Sequence, residues 1–492
     1  MKKSRRLSAA PALWLAAGVL TLTTGCPGPQ EPTLGIAHQS MTELSGAESV
    51  TLGVSYAVGA PFTLRWTATA GTVLERDAPR STIVYWTAPN CIPEGAPMPV
   101  VTATLTDEQG RSASTEFHFQ ETELFRCVVN ESAPMSRPRV SHTATRLASG
   151  QVLVVGGVSE FVSTETPARA SVPSVLESSA ELYEPSTRTW APTGALSQPR
   201  YDHQAHLLAS GRVLVIGGLW STEGASEPRA ATTLELYEPS TGTWTVVSDL
   251  GEMARVKHSV LLTSGRVLLL GQEATGQPRH ALYDPEANTW SPATAPASDI
   301  ILDNVIRLAS GKLLAIGTRT IPGRNGAPPT TVQGAWSYAP DTDTWTPTGA
   351  MKRTEAFFDT SLALLPSGEV LCLYRHEEKG NVLAELYQPG TNTWLHANTP
   401  SAAAPARFAT GPLHSGQVLF STYASNWKMH VFDPVQKIWL MLGHLPGPLP
   451  WGMTVTPLPS GQTLLVGGQL RSEQPLSTTP QRTVWLHAPR SP

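Results

Sequence analysis

One repeated phrase organises most of this chain: a Ser-Gly turn that follows a short apolar stretch and precedes a stronger one. The first copy runs through its turn into Val152–Val155, and the second into Val213–Ile216. In chain order the turn glycines are Gly150, Gly211, Gly265, Gly311, Gly368, Gly416 and Gly461. They lie 45 to 61 residues apart, and repeats of this size bury their apolar faces against neighbouring copies.

A second phrase pairs an aromatic residue with a tryptophan seven residues later. A proline follows the first aromatic by two residues in every copy. The six pairs are Tyr183 and Trp190, Tyr237 and Trp244, Tyr283 and Trp290, Tyr338 and Trp345, Tyr387 and Trp394, and Phe432 and Trp439. Each repeat therefore offers four short strands, and a sheet of four strands can cover both faces by packing between its neighbours around an axis.

The composition agrees with an all-β chain. The 492 residues include 43 prolines and 40 glycines, whereas charged residues make up only 15%. Proline and glycine punctuate turns and stay out of helix interiors, so this mixture favours many short strands.

The repeats resemble a known family. A glycine pair ends the second strand at Gly156-Gly157, Gly217-Gly218 and Gly467-Gly468, ahead of the tyrosine and the tryptophan. Together these residues resemble the kelch repeat over about residues 135–492, although the glycine pair is degraded in the later copies. The resemblance implies a kelch-type β-propeller. The predicted fold class is all-β, with an N-terminal β-sandwich followed by a propeller of seven blades.

The seventh repeat contains only three strands. His487 stands where the other repeats have their tyrosine, and the fourth strand is missing. Because an open sheet edge is a liability, we expect residues 121–134, with their apolar segment 124–129, to supply the closing strand. The predicted propeller domain is therefore 121–492.

Residues 1–25 have the pattern of a secretory signal, with cations at Lys2, Lys3, Arg5 and Arg6 before an apolar run. The signal ends in Thr24-Gly25-Cys26, which resembles the bacterial lipoprotein signal and implies a lipid on Cys26. The alternative is an ordinary cleaved signal followed by a chance cysteine. We expect an exported protein anchored in the cell envelope, at the outer membrane or the cell surface, with residues 26–34 as a linker.

Nucleic acid is an improbable partner on charge grounds. Loss of the four signal cations changes the net charge from −4 to −8. No basic block follows in the rest of the sequence, and nucleic-acid-binding surfaces need one.

Residues 35–120 lack the repeat but alternate like short strands. They resemble bacterial immunoglobulin-like modules, with Trp66 and Trp86 as core residues; the alternative is an irregular extension of the propeller. Cys91 and Cys127 lie outside metal-type spacing and are expected to form a disulfide after export. Cys372, in an apolar strand, is expected to be a buried free thiol.

Candidate binding residues lie on one end of the predicted propeller. The connections between second and third strands are long in repeats one, two, four and seven, and they share an end with the links between repeats. Variable loops on a rigid scaffold are the usual place for recognition. The candidates are Arg139, Arg200, Trp220, Arg229, Arg255, Arg324 and Arg471. These residue types suit a protein or glycan ligand, and the alternative is that they are only solvated loop residues.

An enzyme on the same scaffold is the competing prediction. Galactose oxidase is similar in placing a kelch propeller after a β-sandwich, and it uses copper. Tyr374-Arg375-His376 is the nearest match here to its adjacent Tyr-His pair, but an arginine intervenes. The sequence therefore predicts no metal, no cofactor and no catalytic residue.

Overall fold

A computed structural model describes residues 34–38, 49–56, 62–75, 83–89, 91–93, 95–108, 110–119, 127, 129–163, 171–221, 228–323, 328–353, 357–376, 382–399, 408–422, 428–444, 450, 452–473 and 476–487. Every regular element in these ranges is a β-strand. No helix in them is long and apolar enough to cross a membrane. The all-β prediction is confirmed. The chain divides into two units, one that includes residues 1–127 and one that includes most of residues 128–492.

The first unit consists of two antiparallel sheets with one core between them. Trp66 and Trp86 both belong to this core, together with Leu52, Val101 and Phe117. One sheet has the order β1 (Leu34–His38), β2 (Ser49–Tyr56), β5 (Ile83–Thr87), β4 (Thr72–Glu75), and the other has the order β3 (Phe62–Ala68), β6 (Val100–Asp107), β7 (Ser112–His118).

The boundary of the first unit lies a few residues beyond the predicted one. Cys91 and Cys127 form a disulfide, which confirms that pairing. The backbone N–H of Cys127 also donates to the carbonyl of Ile92 at 2.8 Å. These two contacts hold residue 127 against the first unit, so the division falls after it and not at residue 120.

The second unit contains seven four-stranded antiparallel sheets among the described residues. Sheet 1 is β9 (Thr143–Arg146), β10 (Val152–Val155), β13 (Ala180–Glu184), β14 (Thr189–Thr193); sheet 2 is β15 (Gln204–Leu207), β16 (Val213–Ile216), β19 (Thr233–Glu238), β20 (Thr243–Asp249). Sheet 3 is β21 (Met253–Leu261), β22 (Val267–Glu273), β23 (Pro278–Asp284), β24 (Thr289–Pro292); sheet 4 is β25 (Ile300–Arg307), β26 (Leu313–Ile321), β27 (Thr330–Ala339), β28 (Thr344–Pro347). Sheet 5 is β29 (Phe357–Leu364), β30 (Val370–His376), β31 (Val382–Gln388), β32 (Thr393–His396); sheet 6 is β33 (Phe408–Pro412), β34 (Val418–Thr422), β35 (Lys428–Asp433), β36 (Ile438–His444). Sheet 7 is β37 (Thr454–Pro457), β38 (Thr463–Val466), β41 (Val484–His487), β8 (Val129–Ser132).

The aromatic pairs of the sequence join each sheet to the one before it. Tyr183 lies opposite Trp190 in sheet 1, with ring centroids 5.0 Å apart. The Trp244 indole then donates its N–H to the carbonyl of Gly194, just after the last strand of sheet 1, at 2.9 Å. Trp190, Trp345 and Trp439 donate in the same way to carbonyls of the preceding sheet, whereas Trp290 and Trp394 donate to the hydroxyls of Ser248 and Thr348.

The first strands of the seven sheets contact one another in a closed order. Each first strand touches that of the following sheet, and β37 of sheet 7 touches β9 of sheet 1. At two of these junctions a histidine meets a hydroxyl: His142 Nε2 lies 3.2 Å from Thr454 Oγ1, and His203 Nε2 lies 2.9 Å from Thr143 Oγ1. The arrangement is propeller-like.

Strand β8 is the fourth strand of sheet 7. It pairs antiparallel with β41, with Val129 opposite His487 and Ser132 opposite Val484. The paired strand lies slightly later than the apolar segment 124–129 from which a closing strand was predicted, and residues 121–126 lie outside the described ranges. A segment that precedes sheet 1 thus completes the last sheet.

Glycine pairs occur where a link between sheets passes close to the second strand. Gly156 and Gly157 have φ of 65° and 99°, in the left-handed region. A Cβ on Gly157 would come within 2.7 Å of the carbonyl oxygen of Val140. Glycine is therefore required there both for its conformation and for the close approach.

Candidate functional site

Three neighbouring sheets carry an extra hairpin at one end. In sheets 7, 1 and 2 the second and third strands are connected by a two-stranded hairpin. The hairpin that follows the second strand of sheet 1 contacts the hairpin of sheet 7. The hairpins are β11 (Val158–Ser163) with β12 (Ser171–Leu176), β17 (Leu219–Trp220) with β18 (Arg229–Ala230), and β39 (Gln469–Glu473) with β40 (Leu476–Pro480). We call this end of the second unit, together with the links between sheets that share it, the hairpin end.

In sheets 1 and 2, the base of the hairpin pairs with the link that precedes the sheet. Val140 bridges to Val158, and Tyr201 bridges to Leu219 through two backbone hydrogen bonds of 3.0 and 2.8 Å. Val140, Val158 and Tyr201 form a small buried cluster, against which Phe161, Leu176 and Leu219 pack. The hairpins of sheets 1 and 2 are therefore fixed to the scaffold before any ligand binds, which lowers the entropy cost of binding.

Arg139 and Arg200 are buried and do not line a binding surface. Both are 0% exposed. The Arg139 guanidinium donates to the carbonyls of Gly156 and Ser179 at 2.9 Å and to Glu181 Oε1 at 3.1 Å. Arg200 bonds in the same way to the carbonyls of Gly217 and Thr233 and to Glu235.

The carboxylates in these pairs are also fully used. Glu181 Oε2 accepts from the backbone N–H of Ser136 at 2.9 Å, and Glu235 Oε2 accepts from that of Ser197 at 2.7 Å. Since the charged groups satisfy each other inside the sheet, the binding role predicted for Arg139 and Arg200 is replaced by a structural one.

Arg255 does not occupy the same place as these two arginines. In sheet 3, His258 pairs with the fourth residue of the second strand. Thr143 in sheet 1 and Gln204 in sheet 2 pair with the second strand at the same position. Arg139 and Arg200 lie four residues before those positions, and the residue four before His258 is Ala254. The Arg-x-x-His phrase in sheet 3 is therefore displaced by one residue, and the Arg255 side chain is exposed.

Sheet 3 also lacks the matching carboxylate. Glu181 pairs with Val154 and Glu235 with Val215, whereas the equivalent partner of Leu269 is Ala281. The glutamate of the buried charge pair in sheets 1 and 2 is thus replaced by Ala281 in sheet 3.

The remaining described candidates lie together between sheets 2 and 3. Trp220 and Arg229 face each other across the β17–β18 hairpin, and β18 contacts β21, the strand that carries Arg255. Arg255 is also close enough to Tyr201 to influence its pKa. Burial and then Asp202 raise the pKa of the Tyr201 hydroxyl, and Arg255 opposes them. Tyr201 and Asp202 were not predicted as site residues, because neither belongs to a repeated phrase.

The last two candidates are Arg324 and Arg471. Arg324 lies outside the described residues, and Arg471 lies on β39 opposite Thr478.

The hairpin end also exposes large apolar side chains. Val162 and Val175 of the first hairpin are 53% and 37% exposed. Ile301 and Ile321, at the same end of sheet 4, are 56% and 43% exposed. Exposed apolar side chains next to arginines are typical of surfaces that bind other molecules.

At the opposite end, the Ser-Gly turns border a shallow cleft of about 450 Å³ between sheets 4 and 5. Its charged residue, Glu369, bonds to Lys437 Nζ at 2.9 Å and to Gln388 Nε2 at 2.9 Å. The carboxylate of this cleft is therefore already satisfied within the protein.

The buried side chains of Tyr374, Glu385 and Cys372 in sheet 5 also have structural roles. Tyr374 stands where sheets 1 and 2 have the first glycine of the pair, and its hydroxyl donates to Glu385 Oε1 at 3.0 Å. Cys372, the buried free thiol predicted from the sequence, lies in an apolar core. Burial raises the pKa of this thiol well above its usual value, which makes it a poor nucleophile.

Comparison with protein families finds no match, and comparison with characterised proteins by sequence finds none. Comparison with solved structures finds a fungal alcohol oxidase with catalytic diversity among the AA5 family, in complex with copper. The TM-score is 0.50 and the identity 14%, over 74% of this chain and 76% of that one. At this identity the likeness concerns the fold alone, and it agrees with an all-β, propeller-like arrangement.

The copper in that oxidase raises the question of a metal site here. Within the described ranges, no three His, Cys, Asp or Glu side chains are grouped so that they could hold one ion. His142 and His203 face hydroxyl groups of neighbouring sheets, and Cys372 is enclosed by apolar side chains.

Proposed function

We propose that this chain is an exported, lipid-anchored binding protein, which recognises a protein or glycan through the hairpin end of a seven-bladed kelch-type propeller. One observation carries the proposal. Hairpins rise from one end of three adjacent sheets, and at the bases of two of them, in sheets 1 and 2, the Val140–Val158–Tyr201 cluster holds them in place. A preformed surface of this kind is suited to recognition.

The propeller assignment is supported by the closed order of contacts among the seven sheets and by the six tryptophans that bond backwards. In the first unit, two sheets share one core, as in an immunoglobulin-like module. We assign that unit the role of a spacer between membrane and propeller.

Export and anchoring rest on residues 1–26. A disulfide between Cys91 and Cys127 is consistent with an oxidising compartment outside the cytosol. In this proposal the lipid on Cys26 holds the protein at the cell envelope.

The alternative is a propeller enzyme, either oxidase-like or sugar-processing. The similarity to the AA5 oxidase favours it at the level of fold. The chemistry of the described residues favours binding, because the hairpin end presents exposed valines and arginines.

The test uses the full chain with Cys26→Ser, screened against glycan arrays and against proteins of the same cell envelope. We then compare Val162→Glu/Val175→Glu with Val246→Glu, which alters a valine 48% exposed on the outer strand of sheet 2. The double change should weaken binding at least tenfold, and the control should leave it unchanged. Equal binding by all three proteins would refute recognition at the hairpin end.

A further inference from the structure

We infer that Arg139 and Arg200 are positioning residues, each of which couples two neighbouring hairpins of the hairpin end. We name the hairpins after their sheets: hairpin 7 (β39 and β40), hairpin 1 (β11 and β12) and hairpin 2 (β17 and β18). Arg139 joins hairpin 7 to hairpin 1, and Arg200 joins hairpin 1 to hairpin 2. The inference rests on the proposed function and deepens it, because it makes the recognition surface one surface and not three separate sites.

The link that contains Arg200 bonds to hairpins 1 and 2. The N–H of Gly157, just before β11, donates to the Arg200 carbonyl at 2.9 Å. The Arg200 N–H donates to the carbonyl of Glu177, just after β12, at 3.3 Å. The next residue of the link, Tyr201, bridges to Leu219 at the base of hairpin 2. One short segment of backbone is therefore paired with two hairpins.

The link that contains Arg139 repeats this arrangement between hairpins 7 and 1. The N–H of Gly468, just before β39, donates to the Arg139 carbonyl at 2.8 Å, and the Arg139 N–H donates to the carbonyl of Gln481, just after β40, at 3.0 Å. The next residue, Val140, bridges to Val158 at the base of hairpin 1. Both links thus use the same two places in the preceding hairpin.

The arginine side chains fasten each link to the hairpin that follows it. The Arg200 guanidinium donates to the carbonyls of Gly217 at 3.2 Å and Thr233 at 2.8 Å, on the two sides of the base of hairpin 2. The Arg139 guanidinium spans the base of hairpin 1 in the same way. Both side chains are fully buried, where water does not compete for these bonds. Each arginine therefore holds one hairpin by its backbone and the next by its side chain.

The row of coupled hairpins ends at sheet 3. Arg255 in the next link is exposed, and Ala281 stands where sheets 1 and 2 have the glutamate that receives the arginine. Hairpins 7 and 1 are joined a second time, because β40 contacts β11 directly. Segments that share hydrogen bonds in this way open together as a local unit. The unit comprises hairpins 7, 1 and 2, and β26 and β27 of sheet 4 lie outside it.

The coupling decides how a ligand is bound. Opening of hairpin 1 breaks link bonds that also hold hairpin 7 or hairpin 2, so a ligand that orders one hairpin stabilises its neighbours as well. The entropy cost of ordering is then shared by the three hairpins. A ligand wide enough to reach several hairpins therefore binds best.

The experiment is hydrogen exchange measured by mass spectrometry on the full chain with Cys26→Ser, without ligand. Arg200→Met/Glu235→Gln removes both charges of the pair together, so that no buried charge is left alone. Exchange should become at least tenfold faster in hairpins 1 and 2 and change less than twofold in hairpin 7. Arg139→Met/Glu181→Gln should give the complementary pattern, with faster exchange in hairpins 7 and 1.

Hairpin 1 is the decisive readout for the Arg200 variant. The described bonds of the Arg200 side chain all go to sheet 2, so a purely local role would leave hairpin 1 unchanged. Arg212→Met/Glu286→Gln is the matched control, because it removes an Arg–Glu pair of 3.1 Å at the turn end, between sheets 2 and 3. Exchange in the three hairpins should change less than twofold in this control.

A disulfide across hairpin 1 takes the place of a ligand in a second measurement. Glu160 and Val175 are exposed cross-strand partners, so oxidised glutathione should close the hairpin of Glu160→Cys/Val175→Cys. Exchange in hairpins 7 and 2 should become at least threefold slower than in the same protein when reduced. Addition of Arg200→Met/Glu235→Gln should abolish the effect on hairpin 2 alone.

Two results would overturn the coupling. One is faster exchange in Arg200→Met/Glu235→Gln that is confined to hairpin 2, which would make the arginine a local support. The other is equally faster exchange in β26 and β27 of sheet 4, which would show a general loss of stability. Neither result bears on the binding test with Val162→Glu/Val175→Glu, so the proposed function stands or falls separately.

Discussion

Arg200 and Glu235 form a hydrogen-bonded ion pair inside sheet 2, and neither side chain is exposed to solvent. The pair joins the link before the sheet to its third strand. Arg139 and Glu181 repeat it in sheet 1 at 3.1 Å. A buried pair of this type is costly to break from one side, because the remaining charge is left without a partner.

Arg200→Ala is therefore expected to destabilise the second unit by about 3–5 kcal/mol. The double variant Arg200→Ala/Glu235→Ala should lose clearly less, because it leaves no buried charge without a partner. Urea denaturation of the three proteins measures the order. A double variant less stable than Arg200→Ala would contradict this account.

Strand β8 is expected to close sheet 7. Val129 in this strand is 1% exposed, so Val129→Asp should destabilise the second unit by about 3 kcal/mol by burying a charge. Hydrogen exchange should show faster exchange in Val484–His487 as well as in β8. Glu131→Gln, on the exposed side of β8, is the control, and unchanged protection of Val484–His487 in Val129→Asp would argue against closure by this strand.

Acid should weaken the contacts between the first strands of sheets 7, 1 and 2. Burial, reinforced by the nearby Arg139, lowers the pKa of His142 to about 3, and burial beside Arg200 does the same for His203. Both are neutral in the folded protein and protonate near pH 6.5 when unfolded. Their contribution is complete above pH 6.5 and is lost as the pH falls towards 3, by up to about 1.4 kcal/mol per pH unit for each histidine.

The measurement is the free energy of unfolding at pH 7 and pH 5, a window above the usual carboxylate range. His142→Asn and His203→Asn should each flatten the decline between these two values. A decline as steep in both variants as in the unaltered protein would assign it to other groups.

The proposed lipid anchor at Cys26 gives a prediction about location. Cys26→Ser should move the protein from the membrane fraction to the soluble fraction after export, because a thiol is required for lipid attachment. Immunoblots of separated fractions measure this, with Cys372→Ala as a control that alters a cysteine remote from the signal. Membrane retention of Cys26→Ser would exclude a lipoprotein.

The repeat could be read from sequence because its determinants are local. The distance from Tyr183 to Trp190 is set by one tight turn, and the same turn recurs with left-handed residues such as Asn288 and Asn392. The disulfide was predictable because Cys26 and Cys372 had other expected roles, which left only Cys91 and Cys127 to pair.

The burial of Arg139 and Arg200 was harder to predict, because sequence spacing does not show depth. A signal existed nonetheless. Glu181 and Glu235 each stand two residues before the repeat tyrosine, whereas the third repeat has Ala281 there. In sheets 1 and 2 an arginine in the link and a glutamate at that place form the buried pair.

Arg255 was misplaced for a different reason. A bulge between Val256 and His258 changes the register of the first strand of sheet 3, and no spacing in the sequence reveals it. Tyr201 and Asp202 were missed because their role arises from a bridge between two segments that are distant in sequence.

The pairing of β8 with β41 has a consequence for biogenesis. The strand made first in the second unit finds its partner only when the last strand has been synthesised, so the ring stays open throughout translation. Contacts between opposite ends of a domain are slow to form, and the uncovered edge of sheet 7 can pair with other chains meanwhile. A chain of this design therefore depends on protection of that edge until β8 and β41 meet.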